Sequence, residues 1–192
     1  MDFNYTPPFP DRKYDVIYAD PPWDYSRKLV NPNRGRHTDQ NVRDKYETLS
    51  TDELKQLPIQ SIAADDCLLF LWVVSPKLAE CIGVGQAWGF QYITVGFVWH
   101  KGRKPLMGHY TMSECELCLI FKHGKIPKPR GKRNIRQFLE VRKGKHSQKP
   151  VEVRERITEM FPTQAKIELF ARPNWTDYDR GWDFWGNEVS DT

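Results

Sequence analysis

Short apolar runs alternate along this chain with stretches whose apolar residues recur at helical spacing. Tyr14 to Ala19 (YDVIYA) is apolar, short and β-branched, and predicts a buried strand. The run stops at Asp20-Pro21-Pro22-Trp23, where two prolines cannot continue a hydrogen-bonded ladder. Asp24 to Tyr46 is polar and basic, and a loop of that length inside a compact domain is often functional. Thr51 to Leu57 predicts a short helix capped by Ser50 or Thr51. Cys67 to Val74 (CLLFLWVV) is the strongest strand pattern. A helix follows over Pro76 to Trp88, with proline in its first turn and Gly89 at its end. Gln91 to Trp99 and Glu116 to Phe121 predict further strands, Val151 to Phe161 a helix, and Lys166 to Phe170 a late strand.

Strands that alternate with helices predict an α/β fold built on one sheet. Ligands of such sheets bind beyond the carboxyl ends of the strands. Both the Asp20 to Trp23 turn and Ala171-Arg172-Pro173-Asn174 follow predicted strands, and so lie at such ends. The 192 residues suit a single domain over 1–192 with a sizeable core. No apolar run approaches the roughly 18 residues of a membrane helix, and a cytoplasmic location is expected.

Charge changes this picture. The net charge is +4, but Lys122 to Lys149 holds eleven Lys or Arg residues and one acid, Glu140. That stretch carries +10 and leaves −6 for the rest. Such a segment fits either an anionic polymer or a solvated loop. The cysteines add less. Cys115 and Cys118 form a lone C-x-x-C in an apolar strand, where alternation sends the two side chains to opposite faces. Small buried residues are the expected reading, and no metal site is expected.

The Asp20 to Trp23 turn suggests a chemistry. The amino group of adenine is a poor nucleophile, because its lone pair is delocalised into the ring. Methylating it calls for acceptors that hold the N–H groups. The Asp20 carboxylate and the Pro21 carbonyl supply two, and the prolines at Pro21 and Pro22 fix their geometry. An aromatic ring at Trp23, or less directly Tyr25, can stack on an extruded base. A bare Asp-Pro-Pro triplet would equally well end a strand, with Trp23 in the core.

YDVIYADPPW over Tyr14 to Trp23 resembles the catalytic motif of the adenine-N6 methyltransferases typified by the catalytic subunit of the messenger-RNA N6-adenosine methyltransferase. LFLWVVSPK (Leu69 to Lys77), then Ala87 to Phe90, resembles that family's next strand–helix unit. HSQKP (His146 to Pro150) is similar to its H-S-x-K-P segment. IELFARP (Ile167 to Pro173) and WGNE (Trp185 to Glu188) resemble its cofactor-binding segments. The resemblance covers nearly the whole chain. It implies a Rossmann-like methyltransferase sheet flanked by helices, in circularly permuted order with the catalytic motif first and the cofactor motif last. It also implies S-adenosylmethionine as the methyl donor.

By that resemblance Asp20 serves both the target amino group and the cofactor, Lys149 reaches the cofactor or the target nucleotide, and Asn187 stands near the ribose or adenine of the cofactor. Glu188 occupies a position where the messenger-RNA enzyme has glutamine. Arg172 and Asn174 suit the cofactor's carboxylate or ribose hydroxyls. Lys128, Arg130, Lys132, Arg133 and Arg136 are expected to contact phosphates from the same rim as the active site, with Arg34, Arg36 and Arg43 clamping from the other side. DNA is the expected substrate, by analogy with microbial relatives, and RNA is the alternative. A non-catalytic nucleic-acid-binding subunit, or methylation of protein or small-molecule amino groups, are the rival readings. A monomer, a homodimer and a partnered subunit all fit the sequence.

Overall fold

In the computed structural model the described residues are 8–24, 48–102, 110–142, 148–171 and 181–187. They form β1 (Tyr14–Ala19), α1 (Thr51–Gln56), β2 (Ala63–Val73), α2 (Leu78–Ala87), β3 (Gln91–His100), β4 (Cys115–His123), β5 (Phe138–Glu140), α3 (Val151–Met160), β6 (Lys166–Leu169) and β7 (Trp182–Trp185). The strands make one sheet in the order β5-β3-β4-β2-β1-β6-β7. Strand β4 runs antiparallel to both its neighbours, and every other pairing is parallel.

Side-chain alternation sorts the core into two layers. Ile17, Ala19, Leu69, Leu71 and Val73 face one way and pack with Leu54, Cys81, Val84 and Trp88 of the α1–α2 side. Val16, Tyr18, Leu68, Phe70 and Trp72 face the other way and pack with Val153, Ile157 and Phe161 of the α3 side. With both faces covered, β1 and β2 read as continuous apolar runs. This is the α/β sheet that the pattern predicts.

Helix ends follow their local chemistry. Ser50 caps α1 in a capping box: its Oγ accepts from Glu53 N–H at 3.2 Å, and Glu53 Oε2 accepts from Ser50 N–H at 2.7 Å. At the far end of α2, Phe90 N–H bonds Gly85 O at 3.1 Å and Gly89 N–H bonds Gln86 O at 3.0 Å. Gly89 takes the positive φ of 86° that this closure requires.

The sequence reading misses two strands. Strand β7 is only four residues of WDFW, with no polar alternation to mark it. Strand β5 lies inside the basic stretch, where charge hides a three-residue edge strand. Cys115 is half-buried and Cys118 fully buried, and no group of metal-ligating side chains occurs among the described residues. No helix among the described residues is long and apolar enough to cross a membrane.

Connections leave β1 toward β2 on one side, while β6 lies on its other side and leads on to β7. The crevice at the carboxyl ends of β1 and β6 is therefore a topological switch point, where such sheets hold ligands.

Candidate active site

Asp20 is the first residue beyond β1. The turn after it is fastened at several points. Trp23 N–H donates to Pro21 O at 2.8 Å, Leu49 N–H to Pro22 O at 2.8 Å, and Asp24 N–H to Leu49 O at 3.1 Å. Trp23 is 3% exposed and its indole N–H donates to Trp72 O at 3.1 Å. The expectation that Trp23 stacks on a base is thereby corrected: its ring lies in the core and ties the turn to the end of β2. Pro21 O already closes the turn, and its second lone pair is the one left for a substrate N–H.

Lys149 immediately precedes α3 and its N-cap Pro150, and comes back across the rim to this turn. Its Nζ donates to Asp20 Oδ2 at 2.6 Å and lies 3.3 Å from Glu116 Oε2. The other oxygen of Glu116 meets Lys101 Nζ at 2.6 Å. Asp20, Lys149, Glu116 and Lys101 thus form a row of alternating charge. Its floor is aromatic: Lys149 Nζ stands 5.5 Å from the Trp72 ring and Lys101 Nζ 5.9 Å from the Trp99 ring. The two indoles meet edge to face at 6.2 Å.

Burial alone would raise the pKa of Glu116, but the Lys149 and Lys101 ammoniums outweigh it and hold the carboxyl below its ordinary value. Burial likewise would lower Lys149, and the Asp20 and Glu116 carboxylates instead hold it above the ordinary lysine value. At neutral pH Glu116 is a carboxylate and Lys149 an ammonium. Lys149 can therefore orient and compensate a carboxylate, but it cannot take up a proton.

Across the crevice, Ala171 N–H bonds Trp185 O at 3.0 Å, which brings the ends of β6 and β7 together. A β-carbon on Gly186 would sit 2.8 Å from Ala171 N, so only glycine allows this approach. Phe170 turns the chain with φ 59°, in the left-handed region that favours glycine. Its ring meets Trp185 edge to face at 5.6 Å. A tight turn at a carboxyl strand end is what a nucleoside-bearing ligand needs, and here a phenylalanine takes the place of the glycine-rich loop. Asn187, exposed, stands at the end of β7 on the same rim.

The structure thus brings together Asp20, Pro21, Pro22, Trp23 and Lys149, and sets Asn187 across the switch point. Tyr25, Arg34, Arg36, Arg43, Arg172, Asn174 and Glu188 lie outside the described residues. The basic segment is a correction. Gln164 Nε2 bonds Pro129 O at 2.9 Å, and Gly131 N–H bonds Met160 O at 2.9 Å, so this stretch packs at the end of α3. The following residue, Ala165, pairs with Asp15, five residues before Asp20. Lys128 and Arg130 therefore lie toward the amino end of the sheet, whereas Lys132 and Arg133 line a cavity with Val95, Gly96, Phe97 and Ile120 on the α3 face, at β3 and β4 rather than at β1. The chain regains the rim only through β5, after Arg136. A segment between two rim motifs need not stay on the rim: this one first descends to the end of α3.

Glu116 and Lys101 escaped the sequence reading. The available signal was a carboxylate inside an otherwise apolar strand, C-E-L-C-L-I-F, which calls for a partner once buried.

The MT-A70 family model matches residues 14–188. The chain belongs to the MT-A70 family. It is 49% identical to the type II methyltransferase M.MunI of a Mycoplasma species, over 96% of this chain and 82% of that one. It is 30% identical to the human N(6)-adenosine-methyltransferase catalytic subunit METTL3, over 92% of this chain but 28% of that much longer protein. An MT-A70-like N(6)-adenosine-methyltransferase of Arabidopsis thaliana is 28% identical, over 92% of this chain and 24% of its own length. Family membership makes the chain an adenine-N6 methyltransferase that draws its methyl group from S-adenosylmethionine. The switch-point crevice between Asp20 and the β6–β7 end lies where sheets of this kind hold such ligands.

Proposed function

We propose that this chain methylates N6 of adenine in DNA and works as one methyltransferase domain. The type II methyltransferase relative at 49% identity favours DNA as the polymer. The observation that carries the catalytic reading is the Asp20 carboxylate, held on a fastened turn and gripped by Lys149 at 2.6 Å.

Asp20 accepts one N–H of the target amino group and Pro21 O the other. These bonds draw the lone pair out of the ring and aim it across the crevice. Lys149 fixes the carboxylate's direction and balances its charge. Because both acceptors are set before substrate arrives, little reorganisation is left for the transition state. S-adenosylmethionine supplies an electrophilic methyl group on sulfur. Transfer forms an N–C bond as the C–S bond breaks, and the amino group sheds one proton. Lys149 is already protonated, so that proton leaves by way of the Asp20 carboxylate to water. Asn187 would hold the donor from the β7 side, joined by Arg172, Asn174 and Glu188. With Trp23 in the core, Tyr25 becomes the candidate for stacking on the extruded base.

Transfer of labelled methyl to matched DNA and RNA oligonucleotides, single- and double-stranded, tests this reading. The expected product is N6-methyladenine in DNA, with Asp20→Ala slower by about 10²–10³-fold. Product in RNA alone would replace DNA with the runner-up substrate. A folded chain with neither transfer nor donor binding would leave a non-catalytic nucleic-acid-binding subunit.

A further inference from the structure

We propose that the strap Lys122 to Arg136 is a second nucleic-acid surface, which grips the sugar–phosphate backbone away from the reaction centre. The inference shares with the proposed function the premise of a nucleic-acid substrate, but it concerns a different face of the molecule.

The strap holds seven cations and no acid: Lys122, Lys125, Lys128, Arg130, Lys132, Arg133 and Arg136. Among the described residues only Lys132 has a carboxylate partner, Glu159 at 2.7 Å. Of the two acids beside Gly124, Asp65 and Asp66, the second accepts the backbone N–H of Lys125 at 2.7 Å. Like charges this close repel one another, and a free loop would spread them apart.

This segment is instead pinned. Besides the bonds at Pro129 and Gly131, Lys132 N–H donates to Glu159 O at 2.8 Å. Arg156 Nη1 donates to the carbonyls of Arg136 and Phe138 at 2.9 and 3.0 Å. Gly124 and Gly131 dock so closely that a β-carbon on either would collide with the carbonyl oxygen of Asp65 or Glu159. The backbone groups are spent inward, and Lys125, Lys128, Lys132, Arg133 and Arg136 are left exposed. A pinned row of exposed cations, of which only Lys132 is paired among the described residues, is preorganised for a polyanion of regular spacing, and a nucleic-acid backbone is one. It runs from the amino end of the sheet over the α3 face to β3, which lies three strands from β1, roughly 14 Å across the sheet, and this separates it from the reacting base. It would hold a flanking stretch of a long substrate or a second duplex.

The test uses a 40-base-pair duplex that contains only G·C pairs, so no adenine can engage the active site. Binding is measured across a salt series for the wild type and for Lys128→Gln/Arg133→Gln/Arg136→Gln. The slope of log K against log salt is expected to fall by about 2–3 in the triple variant and by about 1 in Lys128→Gln alone, since each lost phosphate contact removes about 0.9. The turnover rate at saturating short adenine-containing duplex is expected to match the wild type, which also reports correct folding. The single variant keeps the test open if the triple variant fails to fold. Unchanged slopes in both variants would overturn the inference. So would equal competition by polyaspartate at matched charge, which would point to an acidic protein. Absence of methyl transfer in the wild type would count against the proposed function and leave the salt slopes readable.

Discussion

The catalytic rim and the basic strap treat charge in opposite ways. At the carboxyl end four ionised groups alternate in sign, Asp20, Lys149, Glu116 and Lys101, and each touches the next. Along the strap, from the amino end of the sheet to β3, seven cations follow one another, and one has an acidic partner among the described residues. The first arrangement is locked from within and needs no outside ion. The second is completed only from outside. A half-buried row of charge must be self-neutralising, because desolvation leaves no other compensation. An exposed row tolerates imbalance, because water and salt screen it. Burial thus separates charges that shape a reaction from charges that attract a partner.

The contrast can be broken most strongly at Lys149. Lys149→Met removes the ammonium between Asp20 and Glu116, leaves Glu116 with Lys101 alone, and should cost up to about 3 kcal/mol in chemical denaturation, the low end for removing one partner of a buried pair. Adding Glu116→Gln to it should restore part of the loss. An unchanged midpoint in Lys149→Met would mean that the row contributes nothing to the fold.

A smaller effect comes from acid. The folded pKa of Glu116 lies below its ordinary value of 4.5, so its stabilising contribution is full above that pH and disappears as pH falls through the folded value. Glu116→Gln should therefore lose less stability than the wild type when denaturation midpoints are compared between neutral pH and the region below 4.5. Parallel curves for the two proteins would show that the carboxylate is not held by its neighbours.

The smallest effect is expected in the strap. Replacing Lys128, Arg133 and Arg136 with Gln should change folding stability by no more than about 0.5 kcal/mol per site, and relief of repulsion favours a gain. A large loss would show that these cations hold the strap together.

Much of this was legible from residues alone. Strand β1 was read with its correct ends, because an apolar run terminated by two prolines has few alternatives. Asp20 and Lys149 were both singled out, through motifs far apart in the chain. Their contact was not readable, since it depends on how α3 crosses back to β1. Glu116 was invisible for a related reason. It meets Lys149 only because β4 inserts antiparallel between β2 and β3, and that pairing leaves no trace in local periodicity. Trp23 sits where either a base or the core could claim an aromatic ring, and only the bond to Trp72 O decides for the core. The strap shows a further limit: a charge count reports how many cations a segment holds, but not which end of the sheet receives them.

Strand β1 also has a history set by the order of synthesis. It is made first, yet it occupies the middle of the sheet, and one of its two neighbours is β6. Lys149, the partner of Asp20, lies 129 residues downstream. At a translation speed of about 5–20 residues per second, β1 waits on the order of ten seconds with one apolar edge open. Over that interval the nascent chain carries its reaction motif without the groups that orient it. It is also at its most prone to pair with the wrong strand. The enzyme becomes competent only when nearly the last of its sheet arrives, so activity itself reports that the sheet has closed.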